Sequence, residues 1–391
     1  MFGSIYIGLS GLNAYSQGLK TVSNNVSNLN SAGFKASDIS FSDIYGGGSA
    51  GGLNYGAGYR AQGHGVSFDD VTINFSQGEL RQTGRDLDLA IDGGGFLTLI
   101  DGDRTYYART GSFVIDEDGH VVLAGTDLRL AVLDSGGRPV GLNIDTARTS
   151  PPEQTTKIVF SDNLSSTATT HTISDLKLFD EGGGEHLWTI ALTREETVPN
   201  QWTVQVTDGD GDEIGSQTLN FVGGLPDIAN TTLTFEDSDS GLSVAFDFSG
   251  ITSFSSGTVS TLRASQVDGH GTGTITTLTV NEQGQFEIAY SNEETRELGA
   301  IALADFRDPQ KLQQRSNGLF AHSGFGQVQY LSAQDSRVGS ILSGRLEASN
   351  VDLGAQFGDL ILIQRGFQAS SQIISVNNDM IQQLFGIRGQ G

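Results

Sequence analysis

The residues that most resemble a ligand site form the acidic run Asp208–Glu213. Its three aspartates alternate with glycine, as the first ligands of a helix–loop–helix calcium site do. Such a loop requires glycine at its sixth position and a bidentate glutamate at its twelfth, where this chain has Glu213 and Leu219. The run is therefore interpreted as a solvated β-turn between two strands, and no metal ligand is assigned.

Other groups that could support catalysis or cofactor binding also lack the required spacing. Six histidines lie too far apart in the sequence to suggest a shared metal ion: His64, His120, His171, His186, His270 and His322. Gly93-Gly94-Gly95 opens no helix, so it does not predict a dinucleotide site. The glycine-rich stretch 46–65 lacks the Gly-Lys-Ser/Thr ending of a phosphate loop, and no Gly-x-Ser-x-Gly elbow occurs. We expect no catalytic residue, no cofactor and no enzymatic activity.

The charge balance restricts the classes of partner. The 391 residues include 46 acidic and 22 basic side chains, for a formal net charge of −24, which disfavours nucleic acid and anionic membranes as partners. Residues 1–34 carry one charge, Lys20, so the acidity lies in the middle of the chain. Without cysteine there can be no disulfide framework, thiolate metal site or thiol nucleophile.

Targeting signals are weak in this sequence. The first twelve residues lack the basic region and long apolar core of a conventional signal peptide. The longest strongly apolar run, Leu360–Ile363, is far too short to span a bilayer, so we expect no membrane insertion. These features favour a soluble cytoplasmic protein, and they are also compatible with export that uses no cleaved signal.

Both ends of the chain carry apolar residues at a seven-residue spacing. The N-terminal rows are Ile5, Leu12, Leu19 and Val26, followed three positions later by Tyr15, Val22 and Leu29. The C-terminal row is Leu353, Leu360, Phe367, Ile374 and Ile381, with a half-apolar row of Ile363, Ser370, Asn377 and Leu384. This period predicts amphipathic helices that pair as a coiled coil. We expect the apolar members of these rows to form an assembly interface.

The N-terminal helix is expected to be marginal on its own. Gly8, Gly11, Gly18 and the pair Asn24-Asn25 are poor helix formers. Burial of seven apolar residues offers about 2 kcal/mol each, or roughly 14 kcal/mol in all. Ordering the backbone of roughly 25 residues costs about 1 to 2 kcal/mol per residue, which is more. The ends should therefore become helical when they pack on each other and on neighbouring copies. An amphipathic helix on an ordinary core remains the alternative for either end alone.

Between the ends, alternating apolar and polar residues predict strands. Trp202, Val204 and Val206 alternate with polar residues, and Leu242, Val244, Phe246 and Phe248 do the same. The predicted fold class is mainly β with α-helical termini and two β-rich domains nested between them. The predicted division is 1–36 with 354–391 as paired terminal helices, 37–70 as a glycine-rich connector, 71–145 with 280–353 as an inner β domain, and 146–279 as an inserted outer β domain.

Several segments resemble the flagellar rod and hook family of bacterial axial proteins. They are Ser23–Lys35, Gln77–Phe96, Tyr107–Phe113, Leu303–Pro309 and Leu346–Leu353 with Gln364–Ala369. The residues that match the family motifs are Asn24, Asn25, Asn28, Gly33, Phe34, Ser349, Asn350, Val351, Asp352, Gln364, Arg365, Phe367 and Gln368. Departures are modest: Val267 interrupts a Gln-Asp-Gly pattern, and Asp305 and Asp308 replace asparagine.

The resemblance implies a subunit of the hook, the curved tube that transmits motor torque to the filament. The insertion at 146–279 is longer than rod members of the family usually carry, which favours the hook. The implied partners are copies of the chain itself, the rod, hook-cap and hook–filament junction proteins, and the flagellar type III export apparatus. The implied location is the basal body and hook, reached by export without a cleaved signal peptide.

Two other interpretations remain open at this point. A distal-rod or hook-associated axial protein of the same family is the nearer one. A secreted β-rich adhesin or calcium-dependent binding module belongs to a different class and is supported by the acidic turns alone. An enzyme is the third and weakest interpretation.

Overall fold

The computed structural model describes residues 2–45, 63–322, 324 and 327–388. It divides into two compact units. The first contains Met1–Asp145, Leu278–Glu287 and Glu297–Gly391, and the second contains Thr146–Thr277 and Ile288–Arg296. None of the helices in the described ranges is sufficiently long and apolar to cross a membrane.

The N-terminal helix α1 extends over Phe2–Ser27. Just after its end, the Asn28 side chain donates to Asn24 O over 2.9 Å and supplies a partner for the last turn. Gly33 lies beyond the helix with φ at 70°, a conformation that favours glycine. The helix is followed by two short turns that bring the chain to the first strand.

The next segment contains four strands: β1 Ser37–Asp38, β2 Phe41–Tyr45, β3 Gly63–Phe68 and β4 Thr72–Ile73. β2 pairs antiparallel with β3, and β1 pairs antiparallel with β4. The Phe41 ring lies 5.4 Å from the Tyr15 ring of α1. The described part of the predicted connector is therefore ordered against the helix; residues 46–62, with most of its glycines, lie outside the described residues.

The first unit continues with eight strands: β5 Leu80–Gln82, β6 Asp88–Asp92, β7 Phe96–Asp101, β8 Arg104–Ala108, β9 Thr110–Ile115, β10 Val121–Leu123, β11 Arg129–Leu133 and β12 Pro139–Gly141. A turn at Asp116–Gly119 joins β9 to β10, with the Gly119 amide donating to Asp116 O. Burial does not alternate along β6: Asp88 is buried along with Leu89, Ala90 and Ile91.

The second unit is built mainly from eleven strands: β13 Thr149–Ser150, β14 Lys157–Asn163, β15 Thr170–Phe179, β16 Glu185–Arg194, β17 Gln201–Thr207, β18 Glu213–Val222, β19 Leu225–Pro226, β20 Thr232–Asp237, β21 Leu242–Asp247, β22 Ile251–Thr252 and β23 Arg263–Val267. One sheet has the order β15-β16-β17-β18-β19, and another has the order β20-β21-β14-β22 with β23 on β14.

The core of the second unit is aromatic. Trp202, Val204 and Val206 of β17 are buried, as the alternation predicted, and so are Leu242, Val244, Phe246 and Phe248. The rings of Phe160 and Phe248 stack at 4.6 Å between centroids. The two tryptophans of the chain, Trp188 and Trp202, both belong to this core.

The remaining strands are β24 Gly273–Val280, β25 Gln285–Tyr290, β26 Thr295–Ala300, β27 Leu303–Phe306, β28 Leu312–Gln314, β29 Leu319–His322, β30 Val328–Leu331, β31 Ser340–Ser343 and β32 Arg345–Glu347. A four-stranded sheet has the order β13-β24-β25-β26. Short 3-10 helices cover Asp145–Ala147, Ile228–Asn230, Pro309–Lys311 and Ser316–Gly318.

The largest sheet has twelve strands in the first unit, with a main path β28-β29-β8-β7-β11-β10-β9-β6-β31. Its core includes edge-on aromatic contacts, with Phe96 5.5 Å from Phe306 between ring centroids. The chain closes with helix α2, Leu353–Arg388. A mainly β chain with helical termini was predicted from the sequence, and this fold class is confirmed.

Candidate functional site: the terminal helix pair and its anchor

Helices α1 and α2 pair antiparallel with a constant seven-residue register. Ser4 Oγ donates to Asn377 Oδ1 over 3.0 Å near one end, and Asn25 Nδ2 donates to Gln356 Oε1 over 2.9 Å at the other. Between them, Gly11 faces Ser370 and Gly18 faces Ile363. Each step of seven along α1 is thus matched by a step of seven backwards along α2, as a heptad period requires.

On α2 the contact row contains Ile363, Ser370 and Asn377 of the predicted half-apolar row, whereas on α1 the contact row differs from the predicted apolar rows. The positions at the centre of the pair are small or polar on α1 and mostly polar on α2, apart from Ile363. Leu19, Leu353 and Phe367, which were expected in the stripe, are 38%, 37% and 43% exposed in the single chain. Val22 is buried, whereas Ile5, Leu12, Tyr15, Val26, Leu29, Leu360, Ile374 and Ile381 are half-buried beside the contact row. The Leu384 side chain lies outside the described residues.

Glycines allow the two helix backbones to approach closely. A Cβ atom on Gly8 would lie 2.8 Å from Ile374 Cγ1, and one on Gly11 would lie 2.5 Å from Ser370 Oγ. On the opposite helix, a Cβ on Gly366 would overlap the Tyr15 ring. The residues that weaken α1 as an isolated helix are therefore the ones that let it pair.

Helix α2 carries many apolar residues that are exposed in the single chain. They are Leu353, Phe357, Ile361, Leu362, Phe367, Ile373, Val376, Met380 and Phe385, and α1 adds Tyr6, Ile7, Leu9 and Leu19. Leu362 and Phe385 are each 70% exposed. An apolar surface of this extent is typical of a protein–protein contact surface.

A buried ionic group connects the two ends of the chain to the β-strands of the first unit. Glu347 Oε1 accepts from Lys35 Nζ over 2.6 Å and from the Gly78 amide over 2.7 Å, while Glu347 Oε2 lies 3.3 Å from Arg109 Nε. The Lys35 and Glu347 side chains are fully buried, and Arg109 is 3% exposed. We call Lys35, Arg109 and Glu347 the anchor triad.

Burial and charge act in opposite directions on the two cations of the anchor triad. Removal from water lowers the pKa of Lys35, and the negative charge and hydrogen bond of Glu347 oppose that change. The pKa of Arg109 is lowered in the same way and is likewise supported by Glu347. Arg109 also donates to the carbonyl oxygens of Gly93 and Gly95, and Lys35 donates to Ser76 O over 2.8 Å. The charges are therefore paired and hydrogen-bonded, as buried charges must be.

Several motif residues position the ends around this triad. Asn25 is fully buried and exchanges hydrogen bonds with the Ser37 backbone at 2.9 and 3.0 Å. Asn350 accepts from the Ala36 amide over 2.7 Å and donates to Asn74 O over 2.8 Å. Phe34 and Val351 pack in one apolar cluster.

Asp352 begins the C-terminal helix. Its Oδ1 atom accepts from the amides of Gly354 at 2.8 Å and Ala355 at 3.1 Å, which is the pattern of an N-cap. Among the other motif residues, Asn24 and Asn28 lie at the end of α1. The Gly33 amide donates to Glu347 O over 2.8 Å. The Ser349 hydroxyl accepts from the Val351 amide at 3.4 Å. Gln364, Arg365 and Gln368 are exposed on α2.

The anchor triad was not predicted from the sequence. Each member lies in a different motif segment. Lys35 is the last residue of Ser23–Lys35, Arg109 lies in Tyr107–Phe113, and Glu347 lies in Leu346–Leu353. A charged residue inside each of three motif segments was the available signal. Local spacing cannot show that Lys35 and Glu347, 312 positions apart, form a pair.

Two places could be considered for metal binding. In the acidic turn, Asp208 Oδ1 accepts from the amides of Gly211 and Asp212 at 2.8 Å each, so the predicted turn between β17 and β18 is confirmed. Among the described residues, one group brings three ligand atoms within 4.8 Å of one another: Asp116, Asp118 and His120. Asp116 Oδ1 already accepts from the His120 amide over 2.7 Å, as in a closed turn. The absence of a calcium site at Asp208–Glu213 stays a prediction.

The geometry defines a class of protein whose two ends pair as helices and carry exposed apolar side chains. Known families match along most of the chain. The description "Flagella basal body rod protein" matches residues 5–35, "Flagellar basal body protein FlaE D2 domain" matches residues 143–318, and "Flagellar basal body rod FlgEFG protein C-terminal" matches residues 342–387.

Individual relatives agree with these matches. The chain is 30% identical to the flagellar hook protein FlgE of Brucella suis over 407 residues, which cover 99% of each chain. It is 25% identical to the flagellar hook protein FlgE of Treponema pallidum over 470 residues, covering 99% of this chain and all of the relative. The crystal structure of the Helicobacter pylori flagellar hook protein FlgE2 has the same fold, with a TM-score of 0.50 at 12% identity over 68% of this chain and all of that chain.

The chain therefore belongs to the flagellar hook protein family. Its function is that of a structural subunit of the bacterial flagellar hook, and it is located in the flagellum. The resemblance identified from the sequence motifs is confirmed.

Proposed function

We propose that copies of this chain assemble into a flexible, curved tube whose inner layer is made by the terminal helices. The apolar residues predicted as the assembly interface form its subunit contacts, together with their exposed neighbours on α2. The tube transmits torque from the rod to the filament. The set of exposed apolar residues on α2 is the observation that carries this proposal.

Burial of these exposed apolar residues in a contact between copies is energetically favourable. Burial of apolar surface contributes roughly 25 cal/mol per Å², so several exposed leucine, isoleucine and phenylalanine side chains can stabilise a contact by several kcal/mol. α2 carries few charges to oppose it, among them Asp359, Arg365 and Asp379. Other copies of the same helix pair offer a surface of matching chemistry in a homopolymer.

The remaining expectations concern the route and the partners. We propose export through the flagellar type III apparatus without a cleaved signal peptide, and contacts with the rod, hook-cap and hook–filament junction proteins. The marginal glycine-rich helix α1 supports this route, because a narrow channel requires an unfolded chain. We keep the division into terminal helices, connector 37–70, inner β domain and outer β domain 146–279 as part of the proposal.

A substitution at Phe367 tests the interface. Because this side chain is 43% exposed in the single chain, Phe367→Asp should leave the thermal transition of the β-strands unchanged. It should stop polymerisation, since a buried carboxylate would have no partner in the contact. The matched variant Phe367→Leu keeps the site apolar and should polymerise, as measured by sedimentation and electron microscopy. Normal polymerisation of Phe367→Asp would show that this side of α2 is not the interface.

A further inference from the structure

The anchor triad contains two cations and one anion, so the loss of a cation and the loss of the anion have different effects on how the ends dock. Glu347 is the only carboxylate that contacts Lys35 in the described part of the chain. Arg109 has carbonyl partners in Gly93 and Gly95 and a second, more distant charge in Asp92. Removing Lys35 leaves the pair Glu347–Arg109, which is neutral overall. Removing Glu347 leaves two buried cations and no contacting anion.

The C-terminal segment has its own docking bonds to the first unit. β32 pairs with β5 through Leu346 opposite Arg81 and Glu347 opposite Leu80. Ala348 donates to Glu79 O over 2.8 Å, and Asn350 donates to Asn74 O and Ser76 O. None of these contacts involves residues 2–38. The segment 345–351 can therefore be seated before the N-terminal end arrives.

The N-terminal segment depends on that seated surface. Gly33 donates to Glu347 O, Lys35 to the Glu347 carboxylate, and Ala36 to Asn350 Oδ1, all at 2.6–2.8 Å. Its contacts with β4 supply backbone bonds, but they supply no anion for the buried ammonium group.

We infer that the two ends dock in a fixed order: residues 345–351 form the receptor, and residues 33–38, with α1 attached, dock onto it through Lys35. The N-terminal helix is consequently positioned only on a chain whose C-terminal segment is in place. A chain without that segment has no anion for Lys35 and leaves α1 unanchored. The terminal helices are therefore placed correctly only after residues 345–351 have docked.

The test compares Lys35→Met with Glu347→Gln in the full-length protein under polymerising conditions. Glutamine keeps one acceptor oxygen for the Gly78 amide, but it removes the charge and places a donor NH2 group where Glu347 Oε2 accepts from Arg109. Hydrogen exchange measured by mass spectrometry should show residues 345–347 of Lys35→Met protected as in the parent chain. In Glu347→Gln, amides 33–38 should exchange at least tenfold faster, or the variant should fail to polymerise. Glu79→Gln, in an exposed pair with Arg81, is the control and should change nothing.

The double variant separates charge from packing. Lys35→Met with Glu347→Gln removes the unpaired ammonium group, so amides 33–38 should recover part of their protection, or polymerisation should return. If Glu347→Gln does not fold, Lys35→Met alone decides: protected 345–347 amides support the order. Loss of protection at 345–347 in Lys35→Met, or a Glu347→Gln variant that behaves like the parent chain, would overturn it.

Discussion

The ring of Tyr15 lies directly over Gly366, where a Cβ atom would overlap three carbons of the ring. This contact joins the two helices near the middle of their shared register. The same ring lies 5.4 Å from Phe41 of β2, so it links α1, α2 and the β2–β3 hairpin. Its position explains why a helix former does not occupy position 366.

Gly366→Ala should destabilise the helix pair, although alanine is favoured in an isolated helix by about 1 kcal/mol. The Tyr15 ring would have to leave its place against both helices, and the lost packing should exceed that gain. Gly358→Ala is the matched control, because a Cβ there meets nothing within 4 Å and should be neutral or stabilising. Thermal depolymerisation followed by circular dichroism distinguishes them. Equal midpoints for the two variants would contradict the close-packing account.

The sequence contained enough information to predict the helical ends, their seven-residue period and many of the strands. On α2 the predicted half-apolar row does meet α1, but the sequence did not reveal which face of α1 meets α2. Apolar residues such as Leu19 dominated the pattern of α1, whereas its contact row contains Gly11 and Gly18. In the sequence a glycine indicates a weak helix, whereas in the structure it leaves space for a side chain of the neighbouring helix.

The anchor triad shows a second limit of sequence reasoning. Buried charges have no local pattern, because their burial depends on partners that are remote in the chain. Strands with regular alternation, such as β17 around Trp202, Val204 and Val206, were predicted correctly because each position reports its own burial. Asp88 broke that rule, since β6 is covered on both sides.

Acid should weaken the second unit through Asp247. The Lys157 ammonium group, 2.8 Å away, and the Ser249 side chain and amide lower the pKa of this carboxyl to about 2, from its ordinary value of 3.8. Because the folded pKa lies below the unfolded one, the stabilisation is present above about pH 4 and is lost as pH falls toward 2. Lys157 is half exposed, so screening reduces the contribution to about 1 kcal/mol.

Asp247→Asn should therefore lower the free energy of unfolding at pH 7 and have little effect near pH 2. Both tryptophans lie in the second unit, so denaturant unfolding followed by tryptophan fluorescence reports on it selectively. Asp210→Asn, in the exposed turn after β17, is the control for loss of a surface charge. The same stability difference for Asp247→Asn at both pH values would exclude the ion pair as its source.

The central claim is that the terminal helices form the inner layer of a tube. Electron cryomicroscopy of the polymerised chain tests it most directly, because α-helices and β-sheets differ in density at moderate resolution. We predict a hollow tube whose lumen is lined by antiparallel pairs of α1 and α2, with Phe367 and Leu362 buried between neighbouring copies. A lumen lined by the β-strands, or helices exposed on the outer wall, would contradict the account.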